Sequence, residues 1–213
     1  MTATDQIIDV LRTDILSGRF EPGDRLLEVA LSEEYRVGRA AIRSAIVALA
    51  SEGLVTREAN RGATVRRISV AEAIQITEAR SALESLIAGR AAQTATADDH
   101  AELRQIIADM EAAAADTNGG QAYSELNALM HRRMREISGH EVAAQLVANL
   151  RDRAAHHKYR LATMPGRPSQ SLEQHRSIVE AVVAGDEAAA ARAMRTHLES
   201  VIDVLSQWGD ARA

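Results

Sequence analysis

Apolar residues recur at helical spacing over the first fifty positions. Ile7, Ile8, Leu11, Ile15 and Leu16 fall on one stripe, as expected for an amphipathic helix. Gly18 stops it, and Glu21-Pro22-Gly23-Asp24 reads as a turn. Leu26, Leu27, Ala30 and Leu31, with Tyr35, predict a second, short helix broken at Val37-Gly38. A third runs from Arg39 to Ser51 with Ile42, Ala45, Ile46 and Leu49 facing inward, and Gly53 ends it. The period then changes. Leu54–Arg57 and Ala63–Arg66 are β-prone runs around Asn60-Arg61-Gly62, a hairpin signal.

From Ser69 onward the pattern is helical throughout. Breaks at Thr94–Ala97, Thr117–Gly120, Ser138–Gly139, Pro165–Pro168 and Gly185 predict six helices, near 70–93, 98–115, 121–137, 141–163, 170–184 and 186–208. The expected fold class is therefore mainly α. Residues 1–68 form a winged helix-turn-helix with a small β-hairpin wing, and residues 69–213 form an all-helical bundle.

Composition agrees. The chain has 213 residues, 46% hydrophobic and 26% charged, an ordinary globular balance. Alanine occurs 41 times against five aromatics (Phe20, Tyr35, Tyr123, Tyr159 and Trp208), which favours closely packed helices over a β-sandwich. Arginine outnumbers lysine 24 to 1, with Lys158 alone, a base-composition bias more than a functional signal. The absence of cysteine excludes a disulfide framework, a thiolate zinc site and a cysteine nucleophile, and is compatible with a cytoplasmic protein. No apolar run reaches the about 18–20 residues of a membrane span. Asp9, Arg12 and Asp14 interrupt the first apolar stretch, so it does not read as a signal peptide.

The net charge of −5 taken whole argues against a nucleic-acid partner. Its distribution reverses that. Residues 36–67 carry seven arginines against Glu52 and Glu58, while residues 68–213 carry 15 basic and 20 acidic groups. A local patch sets the field at a contact surface. The third helix of a winged helix-turn-helix presents its N-terminal end to base edges in the major groove. Arg39 and Arg43, at i and i+4, share the helix face opposite Ile42, Ala45, Ile46 and Leu49. Arginine suits bidentate contact with guanine, worth roughly 1–3 kcal/mol of discrimination. Ala40 and Ala41 are small enough for close approach to the groove. Arg57, Asn60 and Arg61 on the wing can reach phosphate or the minor groove, and Gly62 permits a tight tip. The bland alternative is a solvated arginine-rich face. Confinement of the basic charge to the last two elements of the motif favours double-stranded DNA.

Residues 7–67 resemble the GntR family of bacterial transcription regulators. Gly18-Arg19-Phe20-Glu21-Pro22-Gly23-Asp24-Arg25-Leu26 is similar to the family's linker between its first two helices. Val37 to Ile46 is similar to the start of its recognition helix, and Leu49, Glu52-Gly53-Leu54-Val55 and Arg61-Gly62-Ala63-Thr64-Val65 to the helix end and wing. Gly38-Arg39-Ala40-Ala41 departs from the usual serine-arginine-threonine-proline, removing two hydroxyls that could contact phosphate. The resemblance implies a homodimer on a short palindromic operator.

Seven histidines fall in the helical region or just beyond its breaks, at 100, 131, 140, 156, 157, 175 and 197. His175 lies ten residues before Gly185 and His197 eleven after Asp186. A helical hairpin folded at Gly185-Asp186 sets the two about level, each ~15 Å from the turn at 1.5 Å rise per residue. His131 has Asn127 at i−4 on the same face. Such nitrogen and amide ligands suit zinc or nickel more than calcium or magnesium. Spacing alone does not make three histidines on three helices a metal motif; packed or surface positions are the commoner outcome.

Residues 70–208 resemble the FCD domain, the helical effector domain of FadR-like GntR regulators. The likeness rests on Glu78–Glu84, Asn127–Arg132, Glu173–Ile178, Ala184-Gly185-Asp186 and Met194–Leu198. It implies a divalent metal held by an aspartate and three histidines, with His131, His175 and His197 at the histidine positions and Asn127 at that of the aspartate. An amide oxygen still coordinates but brings no charge, and a metal-free pocket stays open. The resemblance also implies a small organic acid as effector, with Arg80 facing it; Arg80 equally suits an i, i+4 pair with Glu84. His156-His157-Lys158 reads as a surface feature. Two rival functions follow from the same residues. A metal-dependent hydrolase would use Glu173 or Glu125 as base, and an architectural DNA-binding protein would use the bundle for dimerisation only.

Overall fold

The computed structural model describes residues 3–58, 62–116, 119–153 and 167–210. Asn60, Arg61, the predicted helix beyond Arg153 and His156-His157-Lys158 lie outside the described residues. The chain divides into two compact units: among the described residues, those up to Ser69 with Arg151–Arg153, and Val70–Leu150 with residues 167–210.

The first unit holds α1 (Ala3–Leu16), β1 (Arg25–Leu26), α2 (Glu28–Glu34), α3 (Arg39–Ser51), β2 (Val55–Glu58) and β3 (Gly62–Val65). The apolar stripes meet in one core, with Leu11, Leu26, Ile42, Ala45 and Leu49 fully enclosed. The strands form an antiparallel sheet of order β1-β3-β2, with Thr56 opposite Thr64 and Arg57 opposite Ala63. Strand β1 corrects the sequence reading of a helix from Leu26. Leu26 instead pairs with Ala63 and buries its side chain, while Leu27 stays extended at the N-cap of α2. A hydrophobic pair before a short helix has the same composition whether it is its first turn or a strand, and here the sheet takes it. The preceding turn is fastened by Asp24 N–H to the Glu21 carbonyl (2.9 Å) and by Gly23 N–H to the Val65 carbonyl (2.8 Å). Arg36 bridges α2 to α3 in a left-handed conformation (φ 54°). Ser32 Oγ closes that turn by donating to the Val37 carbonyl at 2.6 Å.

The second unit is a bundle of α4 (Val70–Thr94), α5 (Ala97–Ala115), α6 (Gly120–Ser138), α7 (Glu141–Arg153, whose residues from Arg151 group with the first unit), α8 (Arg167–Val183) and α9 (Glu187–Asp210). Its alanines have a packing role. Ala88, Ala91 and Ala92 on α4 and Ala190 on α9 are buried in one cluster. A Cβ on Gly89 would meet Glu187 Cγ at 3.1 Å and the Glu187 carbonyl oxygen at 3.3 Å, so α4 and the start of α9 run close together. Caps fix the helix ends. Thr96 and Asp99 form a reciprocal capping box on α5, and Asp186 Oδ1 accepts from Ala189 N–H at 2.8 Å to start α9. Helix α8 begins at Arg167 rather than near 170, because Pro168 sits in the first turn, where its missing N–H costs nothing.

Ile42 is fully enclosed, so Ile42→Ala is expected to cost ~2–5 kcal/mol. Val47→Ala on the exposed face of the same helix should stay within about 0.5 kcal/mol. Urea unfolding of the full chain compares the two.

Candidate functional site

On the first unit, α3 exposes Arg39, Ala40 and Arg43 on the face away from the core, while Ala41 packs partly against it. Gly38 caps the helix in extended conformation without a side-chain hydrogen bond. Arg57 is exposed on β2. Gly62 adopts φ +85°, and a Cβ there would approach the Leu26 carbonyl oxygen to 3.1 Å, so both conformation and space require glycine.

Glu28, at the first turn of α2, was not singled out from sequence. Arg43 Nη2 donates to its Oε2 at 2.7 Å, and Nε lies 3.1 and 3.2 Å from the two oxygens. The Arg43 hydrogen bond, then the charges of Arg43, Arg57 and Arg39, hold the Glu28 carboxyl below the usual carboxylate range. One carboxylate therefore marks a surface on which α3 and the wing bring three arginines together.

In the second unit, α6, α8 and α9 bring His131, His175 and His197 into one buried cluster. Each offers a ring nitrogen within 4.8 Å of the other two. Ring centroids lie 4.4 Å apart for His175 and His197, and 5.5 Å for each with His131. Every Nδ1 has a neighbour outside the triad. His131 Nδ1 lies 2.7 Å from Glu84 Oε2. His175 Nδ1 lies 3.4 Å from the Tyr123 hydroxyl and 3.5 Å from Ser171 Oγ. His197 Nδ1 lies 3.0 Å from Gln174 Oε1, where it donates. With Nδ1 turned outward, Nε2 is the ring nitrogen left for a ligand.

Asn127 sits one turn before His131 on α6, and its Oδ1 is buried without a hydrogen-bond partner. An orphaned buried acceptor is costly unless something fills its place. Three imidazoles and this oxygen are a donor set that fits a borderline divalent ion. Arg80 takes the intrahelical option, with Nε 2.8 Å and Nη2 2.7 Å from Glu84 Oε1. Glu125 and Glu173, the bases a hydrolase would need, are both exposed, whereas the histidines are buried.

Comparisons with known proteins assign both units to known domains. Residues 3–65 match the family of bacterial regulatory proteins called gntR, and residues 75–200 match the FCD domain. The chain belongs to the GntR family and carries an FCD domain. It is a DNA-binding transcriptional regulator, not an enzyme. It is 29% identical over 202 residues to the HTH-type transcriptional repressor RspR of Escherichia coli, covering 95% of this chain and 88% of that protein. It is 28% identical over 215 residues to the HTH-type transcriptional regulator LutR of Bacillus subtilis, covering 91% and 97%. The fold is similar to that of E. coli McbR/YncC, with a TM-score of 0.79 at 20% identity over 98% of this chain and 99% of the other. No helix among the described residues is long and apolar enough to cross a membrane.

Burial, then the charges of His131 and Arg167, lower the pKa of His197 well below its ordinary 6.5. The folded ring stays neutral while the unfolded ring takes a proton as pH falls through 6.5. The unfolded state then binds more protons, so stability falls with pH below that value, by ~1.4 kcal/mol per unit for one group. Denaturation midpoints of the metal-stripped chain from about pH 7.5 to 5.5 should show this slope. His197→Gln should reduce it.

Proposed function

We propose that the protein binds operator DNA as a cytoplasmic homodimer, with residues 1–68 contacting DNA and 69–213 binding an effector and dimerising. Arg39 and Arg43 read base edges, with Ala40 and Ala41 allowing close approach. Arg57, Asn60, Arg61 and Gly62 form the wing contact. The effector is a small organic acid held beside a divalent metal, zinc or nickel, on Asn127, His131, His175 and His197. Such an ion supplies open positions for a carboxylate oxygen. Arg80 lies one turn before Glu84, whose carboxylate neighbours His131, and so stands at the edge of this site.

The observation that carries the effector reading is the convergence of three buried imidazoles beside an unpartnered Asn127 oxygen. A bundle used for dimerisation alone has no need of that polar cluster, which is expensive to bury. Effector control requires that the acid bind one arrangement of the dimer better than another; equal affinity for both would shift nothing.

Operator duplexes selected from a random pool provide the test, with anisotropy as the readout. Arg43→Ala should weaken binding about ten- to hundredfold, while Arg57→Ala should weaken all sequences evenly and lower the salt slope by ~1. Unchanged affinity and salt dependence in both variants would contradict the DNA-contact assignment. For the metal, elemental analysis of untagged protein should find about one ion per chain, one for each donor set. The double variant His175→Ala, His197→Ala should lose it.

A further inference from the structure

Arg167 is the unexpected charge of the effector bundle. It opens α8, and the whole residue is only 7% exposed. Its described hydrogen bonds go to neutral groups. Nη1 donates to Gln170 Oε1 at 3.0 Å, and Nη1 and Nη2 both donate to Ser200 Oγ at 3.1 Å. The segment 154–166 immediately before it contains no Asp or Glu, so that stretch has no carboxylate to offer. A buried guanidinium is normally matched by a carboxylate, because desolvating an unpaired charge is costly. Arg80, by contrast, is already matched by Glu84.

Arg167 is also wired to the histidines. Ser200 Oγ, which accepts from Arg167, lies 3.0 Å from Gln174 Oε1. That same oxygen lies 3.0 Å from His197 Nδ1. Arg167 thus stands one short polar chain away from the triad, where α8 meets α9. The histidine centre is a second place that calls for negative charge. Its donors are three imidazoles and an amide, and the Glu84 carboxylate behind His131 is shared with Arg80.

Resting on the effector reading above, we infer that Arg167 is a carboxylate clamp and that the effector is a small dicarboxylate. One carboxylate pairs with the Arg167 guanidinium. The other lies at the Asn127, His131, His175 and His197 centre. Two separated positive sites select for two separated negative groups, and the planar fork of arginine fits one carboxylate in bidentate fashion.

The test uses the full-length, zinc-loaded chain and calorimetric titration. Malonate, succinate, glutarate and adipate are each compared with the monocarboxylate of equal length. At least one diacid should bind about ten- to hundredfold more tightly than its monoacid, the range of a charge-assisted hydrogen-bonded pair. Arg167→Gln should collapse that ratio to about one and leave zinc content unchanged. Arg167→Lys, which keeps the charge without the fork, should restore part of it. A second readout separates a clamp from a structural arginine. Removing an unmatched buried charge should leave the melting temperature of the ligand-free protein equal or higher, while a structural role requires a fall.

The inference is overturned if no diacid outbinds its monoacid, or if Arg167→Gln keeps the wild-type ratio. Monoacids that alter DNA binding without any diacid preference would overturn the clamp and leave the regulator reading standing. A diacid preference lost in Arg167→Gln, with no effect of any acid on DNA binding, would support the clamp and overturn effector control.

Discussion

The bundle depends on holding three buried imidazoles in one fixed orientation. Each ring faces two others whose centroids lie 4.4–5.5 Å away. Orientation leaves a choice of which nitrogen of each ring points into the cluster. Neighbours on α4, α6 and α8 make that choice: Glu84 beside His131, Tyr123 and Ser171 beside His175, and Gln174 beside His197. The arrangement tolerates little slippage. One residue of register on an α-helix turns a side chain by about 100°, which would carry a histidine out of the cluster and a hydrophobic neighbour into it. Small residues at the α4–α9 contact and the Gly185-Asp186 turn maintain that register.

The DNA-binding unit solves a different problem, because its working side chains must be exposed and still placed. Leu26 anchors β1 beneath the wing, and Gly62 lets the wing pass close to the Leu26 carbonyl. The apolar side of α3 is buried, so its arginine face can only point outward. Glu28 then gathers Arg43 while leaving most of its side chain exposed to solvent (62%). In a pair so open to water the attraction is weak and screened by salt. In the proposed complex, base edges can therefore compete with Glu28 for Arg43 without a large penalty.

Local signals accounted for most of the architecture. Stripes with a 3.6-residue period, Gly185 followed by Asp186, and the Thr96 cap are each decided by residues a turn or less apart, and helices fall where they indicate. Strand β1 was hidden because two residues carry no period. Its partner, β3, lies almost forty positions away, so only the folded sheet distinguishes Leu26 from the first turn of a helix. The start of α8 was hidden because Pro168 reads as a breaker unless the first turn is already known to begin there.

The site was legible to the extent that its residues resemble a known pattern or repeat along one helix. Ser200 and Arg167 belong to neither class, and Glu84 and Gln174 meet the histidines only through pairings between helices. The two arginines show why residue type alone cannot assign function. Arg80 occupies the position that the family likeness points to, yet a carboxylate one turn away on its own helix satisfies it. Arg167 stands where the sequence reads as a loop boundary, yet folding buries it against Ser200 and Gln170. An arginine neutralised within its own helix stabilises that helix and gains little from a ligand. An arginine buried among hydroxyl and amide groups keeps its full charge and lowers its energy most when an anion arrives. The difference between them is set by what each touches across the bundle, and the clamp proposed for Arg167 rests on the packing of α8 against α9.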